Sequence, residues 1–298
     1  MEQKVGFYSD GLRIAGMLYE PDAAGERSCP GIVMCQGMVG VKEYYWCPTI
    51  ARHFADLGCV VLIWDYRGVG ESEGEPGRLY PLEQAEDIRN ALTYLELQPK
   101  VDPERLALLG WSFGGGMVPY VAGVDQRVKC AMSAVGWADG GRWMRGMRRY
   151  GEWLEFLDRI AEDRRSRVKT GKSEILGPGE ILVPDPKSVE SMSRARSKIP
   201  EMEDHRSTPY SLATAEKIME FSPMAVVDRI SPRPILYIAA EKDINVPAEQ
   251  IMAMYERTRE PKKLMVIPGI VHSGVYEEPH FSQVLDVTTD WLKEHLSF

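Results

Sequence analysis

The fold of this chain is decided by one stretch, Leu106-Ala-Leu-Leu-Gly110-Trp111-Ser112-Phe113-Gly114-Gly115-Gly116. The apolar residues at its beginning predict a short buried strand, and the apolar residues after the glycines are compatible with a helix. Ser112 therefore lies in a G-x-S-x-G sequence between a strand and a helix, which is the context of a nucleophile elbow. The turn is so tight that side chains at Gly110 and Gly114 would collide with neighbouring backbone, whereas the Ser112 side chain projects outward. The alternative is a glycine-rich turn that contains an incidental serine.

Strands and helices alternate on both sides of this stretch. A hairpin is predicted from two strands, Val5 to Tyr8 and Leu12 to Tyr19, which are joined by Ser9-Asp10-Gly11. Short apolar strands of the buried, parallel type are predicted at residues 30–35, 59–64, 128–134, 234–239 and 263–267, with helices at 46–57, after residue 80, after the elbow, at 247–255 and at the carboxyl end. This alternation predicts an α/β fold with a mostly parallel central sheet flanked by helices.

Residues 137–232, which we term the insertion, interrupt the alternation. They predict a mostly helical lid, and the core then consists of residues 1–136 and 233–298. Five apolar residues of the insertion recur at spacings of four, three, four and three, as expected for one amphipathic helix: Trp143, Met147, Tyr150, Leu154 and Leu157. Because the insertion follows a strand of the parallel sheet, it leaves from the edge that carries Ser112, and we expect it to cap the site.

The bulk composition is that of a soluble globular protein. Hydrophobic residues make up 44% and charged residues 27% of the 298 residues, and the net charge of −8 argues against a nucleic-acid partner. No apolar run approaches the length of a membrane span, and Met1 to Phe7 lacks the apolar core of a signal peptide. The five cysteines form no C-x-x-C motif and predict reduced, buried thiols, so we expect a cytoplasmic protein. Assembly into a homodimer stays open.

Two residues downstream of the elbow complete a predicted catalytic triad. A serine hydroxyl becomes an effective nucleophile when a histidine takes its proton and a carboxylate orients that histidine. Asp243 and His272 each follow one of the last two predicted strands, so both reach the carboxyl edge of the sheet, where Ser112 lies. Glu241 is the competing acid, and His280 is the competing base.

Acyl transfer also requires hydrogen-bond donors for the oxyanion of the intermediate. One donor is predicted to be the backbone N–H of Phe113, the residue after the nucleophile. The second is predicted to be the N–H of Met38, in the loop that follows the strand at residues 30–35. Gly37 in the same loop lets the substrate oxygen approach closely.

Aromatic and apolar residues near these strand ends are candidates for the substrate pocket. Tyr44 and Tyr45 follow the oxyanion loop and are candidates to hold the substrate or the oxyanion. Trp137, Trp143 and Met147 begin the insertion directly after a strand end and are candidates to cover an apolar acyl pocket. Packing within the core or the lid is the alternative for each of them.

With these motifs, the chain resembles serine hydrolases of the α/β-hydrolase fold. Within that superfamily it is similar to the dienelactone-hydrolase-like and X-Pro-dipeptidyl-peptidase-like esterases. The resemblance covers the predicted core and includes Asp65-Tyr-Arg67-Gly-Val-Gly-Glu-Ser72, which matches the D-x-R-G-x-G-x-S loop whose arginine and aspartate usually brace the structure. Two departures stand out: the oxyanion loop begins Gln36-Gly37 where His-Gly is usual, and the nucleophile is Ser112 where the dienelactone hydrolases carry a cysteine.

The motifs and the resemblance together predict a serine hydrolase. It would cleave a carboxylic ester or a related acyl bond (a lactone, thioester or amide) of a small-molecule substrate through an acyl-serine intermediate, without a cofactor or a metal. Use of the same triad for C–C bond hydrolysis or acyl transfer stays open, as does binding of a small ligand without turnover. We expect substrate specificity to depend on the insertion.

Overall fold

An eight-stranded sheet organises the chain, whose computed structural model describes residues 1–22, 25–38, 41–43, 46–183, 185–190 and 209–297. The strands are β1 (Glu2–Ser9), β2 (Leu12–Tyr19), β3 (Cys29–Cys35), β4 (Val60–Trp64), β5 (Val101–Trp111), β6 (Val128–Ala134), β7 (Ile235–Ala240) and β8 (Lys262–Ile267). Their spatial order is β1-β2-β4-β3-β5-β6-β7-β8. The pairs β1–β2 and β2–β4 are antiparallel and the other pairs are parallel, which confirms the predicted mostly parallel sheet.

Helices flank this sheet and also form part of the insertion. They are α1 (Trp46–Asp56), α2 (Pro81–Glu96), α3 (Phe113–Val124), α4 (Gly140–Gly146), α5 (Tyr150–Thr170), α6 (Leu212–Met219), α7 (Ala248–Arg257) and α8 (His280–Leu296). Helix α1 connects β3 to β4 in one direction across the sheet, whereas α2, α3 and α7 connect strands in the opposite direction. Since crossovers between parallel strands are right-handed, α1 lies on one face and the other three on the opposite face. His53 of α1 contacts Thr289 of α8 at 2.8 Å, so α8 shares the face of α1.

The elbow between β5 and α3 has the predicted geometry. Ser112 has φ 55° and ψ −115°. A Cβ atom at Gly110 would lie 2.5 Å from the Gly114 carbonyl oxygen, and one at Gly114 would lie 2.1 Å from the Cys35 carbonyl oxygen. The predicted collisions are therefore confirmed. Strand β5 begins earlier than predicted, at Val101, because that residue pairs with β3 before the register shifts.

The described part of the insertion contains helices, but not the single helix that the apolar spacing predicts. Its elements besides α4, α5 and α6 are a short helix Pro178–Ile181, helical residues 186–190, a paired Ile175–Leu176 and Tyr210–Ser211, and 3-10 turns Pro223–Ala225 and Val227–Arg229. The five apolar residues fall on two helices because α4 ends at Gly146, with Met147 as its C-cap, and Glu152 accepts a hydrogen bond from the Arg149 N–H at 2.8 Å to begin α5. Tyr150 and Leu154 are consequently exposed, and α5 buries Phe156 and Ile160 instead.

The five cysteines are buried with free thiols, as predicted: Cys29, Cys35, Cys47, Cys59 and Cys130. Burial raises the pKa of Cys35, Cys47, Cys59 and Cys130 well above that of an exposed thiol, because the thiolate loses its hydration. These thiols therefore stay protonated and act as small apolar side chains. Among the helices of the described residues, none has the length and apolar character to cross a membrane.

Candidate active site

Three side chains meet at the carboxyl edge of the sheet. The Nε2 atom of His272 lies 2.9 Å from the Oγ atom of Ser112. The Nδ1 atom of the same ring lies 2.6 Å from the Oδ2 atom of Asp243. The structure thus brings the three residues of the predicted triad into one hydrogen-bonded chain, in the order that proton transfer from a serine requires.

The loops after β7 and β8 position the acid and the histidine. Asp243 follows β7, and its Oδ1 atom accepts hydrogen bonds from the N–H groups of Asn245 at 2.9 Å and Val246 at 2.8 Å. These two bonds fix the carboxylate and leave Oδ2 for the imidazole. His272 begins a 3-10 turn, His272–Tyr276, shortly after β8.

The competing residues lie elsewhere. Glu241 is exposed, and its carboxylate accepts a hydrogen bond from the Gly269 N–H at 2.7 Å, so it braces the loop before His272. His280 begins α8, and the ring against Ser112 is that of His272. The geometry therefore favours Asp243 over Glu241 and His272 over His280.

The environment of His272 shifts its proton affinity. Burial alone would lower the pKa of His272, because it disfavours the charged imidazolium. The charge and hydrogen bond of Asp243 act in the opposite direction, and the charge of Asp185 adds to them, so the pKa of His272 is raised above its usual value. The ring is nevertheless suited to accept a proton once the pH exceeds that raised value.

The oxyanion loop lies directly beside the nucleophile. A Cβ atom at Gly37 would be 3.7 Å from the Cβ atom of Ser112. Within the described residues, neither the N–H of Met38 nor that of Phe113 donates a hydrogen bond to a protein acceptor. Both predicted donors are therefore without a protein acceptor there; Phe113 directly follows the serine, and Met38 directly follows Gly37, which lies beside it.

Gln36, which stands where the resemblance leads one to expect histidine, holds the oxyanion loop in place. Its side-chain amide donates to the Trp64 carbonyl oxygen at 2.8 Å. Its own carbonyl oxygen accepts from the Tyr66 hydroxyl at 2.7 Å and from the Gly114 N–H at 3.0 Å. The glutamine thus ties the loop both to β4 and to the helix that begins at the elbow.

The D-x-R-G-x-G-x-S loop braces the same region, as its family role suggests. Asp65 accepts hydrogen bonds from the backbone N–H of Lys42 at 2.8 Å and from the Lys42 ammonium at 2.7 Å, and all these groups are buried. Arg67 pairs with Asp87 and Asp10 and touches no triad residue in the described hydrogen bonds. Asp65 and Arg67 therefore support the loops around the site.

The predicted pocket residues divide into three groups. Tyr44 and Tyr45 lie outside the described residues. Trp137 and Trp143 are 0% and 1% exposed and stack with ring centroids 5.1 Å apart. Trp137 also donates from Nε1 to the Phe113 carbonyl oxygen at 3.3 Å, so this pair supports the back of the elbow, which favours the packing alternative over a substrate roof. Met147 is half-buried at the end of α4.

Two residues of the insertion were not anticipated. The hydroxyl of Tyr210, a side chain 1% exposed, donates to the carbonyl oxygen of Met38. The negative charge of Asp185 contributes to the raised pKa of His272. Tyr210 carries no local sequence signal, whereas Asp185 precedes Pro-Lys-Ser, a pattern typical of a helix N-cap. In the part of the chain that the structure describes, no cluster of His, Cys, Asp or Glu is arranged to hold a metal ion.

Known proteins share this architecture. A model of the alpha/beta hydrolase fold family matches residues 30–279. The chain is 32% identical over 268 residues to an uncharacterized 31.7 kDa protein in the traX-finO intergenic region of Escherichia coli, with 90% of this chain and 91% of that protein covered. It is 28% identical to the polyketide transferase grgF of Penicillium sp, with 97% and 95% covered, and 27% identical to the thiohydrolase aneE of Aspergillus aculeatus, with 97% and 91% covered. The crystal structure of GrgF superimposes with a TM-score of 0.81 at 25% identity, and all of both chains is covered.

We expect the rate to depend on pH through His272. The neutral ring accepts the serine proton, so activity is lost as the pH falls through the pKa of His272. Because that pKa is raised, the midpoint of the acid limb lies above about pH 6.5, the value for free imidazole. Initial rates at low substrate concentration, on a substrate whose chemistry is rate-limiting, give this profile. A rate that is flat from about pH 5 to 8 would contradict a histidine base.

Proposed function

Since the chain belongs to the alpha/beta hydrolase fold family, we propose that it is a serine hydrolase that cleaves a carboxylic ester or related acyl bond. One observation carries the proposal: the hydrogen-bonded chain from Ser112 through His272 to Asp243, with contacts of 2.9 and 2.6 Å. The N–H groups of Met38 and Phe113 support it, because neither donates to a protein acceptor within the described residues and both belong to segments next to the serine, so they are candidates to bind an oxyanion.

The proposed reaction has two halves. In the first, Ser112 Oγ forms a bond to the acyl carbon while its proton passes to His272 Nε2, and the tetrahedral intermediate then expels the leaving group, which takes that proton. In the second, a water gives a proton to His272 and attacks the acyl carbon, which releases the acid and returns the proton to the serine. Asp243 stabilises the transient imidazolium, and the Met38 and Phe113 N–H groups bind the oxyanion in both halves.

The names of two relatives suggest which acyl bond is cleaved and which molecule accepts the acyl group. One is a thiohydrolase and one a polyketide transferase, so a thioester joins the ester as a proposed substrate, and transfer to an acceptor other than water is the second candidate function. The two functions differ only in the nucleophile of the second half-reaction. Turnover with an added alcohol or amine acceptor, followed by mass spectrometry of the products, distinguishes the free acid from the transferred acyl group.

The setting of the enzyme is also part of the proposal. The five free, buried thiols support a cytoplasmic location. The proposed substrate is a small acyl compound, and the proposed reaction requires no metal or cofactor. The narrower similarity to dienelactone-hydrolase-like and X-Pro-dipeptidyl-peptidase-like esterases stays a prediction, since the relatives described above carry other names.

Replacing the nucleophile tests the proposal. We expect Ser112→Ala to lower kcat on a panel of esters and thioesters by about 10⁴-fold or more, because the acyl acceptor is removed while the fold persists. Labelling by a fluorophosphonate probe should be lost together with turnover.

Ser282→Ala is the matched control, because Ser282 is exposed on α8, and its hydroxyl contacts Glu278. This variant should label and turn over like the wild type. Near wild-type turnover by Ser112→Ala would remove Ser112 from the mechanism.

We also propose that the insertion forms a cap over Ser112. One contact supports this arrangement: Tyr210 of the insertion donates to the Met38 carbonyl oxygen, in the loop beside Ser112. The insertion therefore contacts a residue whose N–H is proposed to bind the oxyanion. The cap would shape the pocket and hold the oxyanion donors at the same time.

Tyr210→Phe tests the link between cap and oxyanion loop. We expect kcat to fall about 10-fold with little change in KM, because one hydrogen bond that orients the loop is lost while the ring still packs. Tyr150→Phe is the control, since Tyr150 belongs to the same insertion but its side chain is 67% exposed. An unchanged kcat in Tyr210→Phe would refute the proposed coupling.

A further inference from the structure

Hydrogen bonds hold the oxyanion loop at its beginning, in its middle and at its far end. Gln36 ties the beginning to the end of β4, and Tyr210 donates to the carbonyl oxygen of Met38 in the middle. Lys42 lies at the far end, four residues after Met38. Its backbone N–H donates to Oδ1 of Asp65 at 2.8 Å, and its ammonium donates to Oδ2 at 2.7 Å. One carboxylate thus binds both the main chain and the side chain of this residue.

The ammonium of Lys42 is enclosed by three carboxylates. Its Nζ atom lies 2.7 Å from Glu43, 2.7 Å from Asp65 and 2.6 Å from Glu71, so three acceptors match its three N–H groups. The Lys42 side chain is 1% exposed. Burial would lower the pKa of Lys42, but the hydrogen bonds to the three carboxylates outweigh it and raise that pKa. The buried ammonium therefore stays charged.

The carboxylate that binds Lys42 is itself held in place. The N–H of Asp65 donates to the Ala15 carbonyl oxygen at 2.9 Å, and the Asp65 carbonyl oxygen accepts from the Ser72 hydroxyl at 2.7 Å. Its Oδ2 atom also accepts from the Glu71 N–H at 3.0 Å. A Cβ atom at Gly70 would lie 2.3 Å from this oxygen, so the backbone passes directly against the carboxylate. Asp65 is therefore a fixed anchor for the oxyanion loop.

Stability alone is a poor explanation for this buried pair. Burial deprives a carboxylate and an ammonium of their hydration, and apolar residues of similar volume often give a fold of equal or greater stability. A charge-assisted hydrogen bond supplies what an apolar contact lacks, which is a defined distance and direction. Here that geometry fixes the end of the loop whose Met38 N–H we propose as an oxyanion donor.

We propose that Lys42 is a positioning residue for the reaction: its tether to Asp65 holds the oxyanion loop so that the Met38 N–H can bind the oxyanion. This inference rests on the proposed function and adds to it a residue outside the catalytic triad. An oxyanion exists only in the tetrahedral states, so a displaced donor weakens the binding of those states and leaves ground-state binding unchanged.

Lys42→Met removes the ammonium and keeps a long side chain. We expect kcat, expressed per serine titrated with a fluorophosphonate probe, to fall about 10-fold or more, while KM stays within about 3-fold of wild type. A trifluoromethyl ketone of matching acyl chain forms a tetrahedral adduct with the serine, and its affinity should fall by a similar factor. The corresponding secondary alcohol cannot form that adduct and should keep its affinity.

A second variant covers the case in which the first does not fold. Lys42→Met alone leaves the buried Asp65 carboxylate without its cation, whereas Lys42→Met combined with Asp65→Asn removes both charges and keeps an oxygen for the N–H of residue 42. The double variant should also lose affinity for the trifluoromethyl ketone, because the ammonium tether is absent from both. Thermal unfolding of each variant reports stability separately.

Lys4→Met is the matched control. Lys4 also pairs with Glu71, at 3.2 Å, but its side chain is 73% exposed. This variant removes a cation from the same cluster without touching the oxyanion loop. It should match wild type in kcat, in KM and in affinity for the trifluoromethyl ketone.

The outcomes separate this inference from the proposed function. If a folded single or double variant binds the trifluoromethyl ketone like wild type, or loses stability without losing kcat per titrated serine, Lys42 does not position the loop. Equal losses of affinity for the ketone and the alcohol would also overturn the inference. Wild type that neither labels nor turns over ester or thioester substrates overturns the hydrolase itself, whereas active wild type with unaffected variants overturns only the role of Lys42.

Discussion

The positive φ of Ser112 is the constraint on which the rest of the site depends. A non-glycine residue in that region is strained by about 1 to 3 kcal/mol, so the surrounding structure must hold it. It does so from both neighbouring strands: the Ser112 N–H donates to the Ala134 carbonyl oxygen at the end of β6, at 3.0 Å, and Gly114 sits against the Cys35 carbonyl at the end of β3. The conformation of the elbow therefore depends on three parallel strands: β5, which leads into it, and its neighbours β3 and β6.

The same three strands determine what surrounds the serine. The loop after β3 becomes the oxyanion loop, because it leaves the sheet beside Gly114 and is tied to it through the Gln36 carbonyl. The chain after β6 becomes the insertion, and its first tryptophan, Trp137, packs behind Phe113. The N–H groups that we propose as oxyanion donors thus belong to segments held by other contacts, and preorganised groups of this kind need no rearrangement as charge develops.

Features that depend on local sequence motifs could be predicted from the sequence, whereas features that depend on contacts between distant residues could not. The elbow, the acid and the histidine were predictable, because each depends on a local motif at a strand end and parallel strands bring their carboxyl ends to one edge. The break between α4 and α5 was not, because the spacing from Trp143 to Leu157 suits one helix and only the local cap at Arg149 interrupts it. Tyr210 escaped prediction for another reason. Its partner, the Met38 carbonyl, is distant in sequence, and no periodicity or motif reports a contact between the insertion and the oxyanion loop.

The most direct test of the account is to detect the acyl group on Ser112. The enzyme is mixed with an ester or thioester whose acyl group is released slowly, quenched in acid, and analysed by intact-mass spectrometry and peptide mapping. The account predicts one added acyl group per chain, confined to the peptide that contains Ser112, which disappears as the substrate is exhausted. Product formation with no adduct on that peptide, or with the acyl group on another residue, would contradict it.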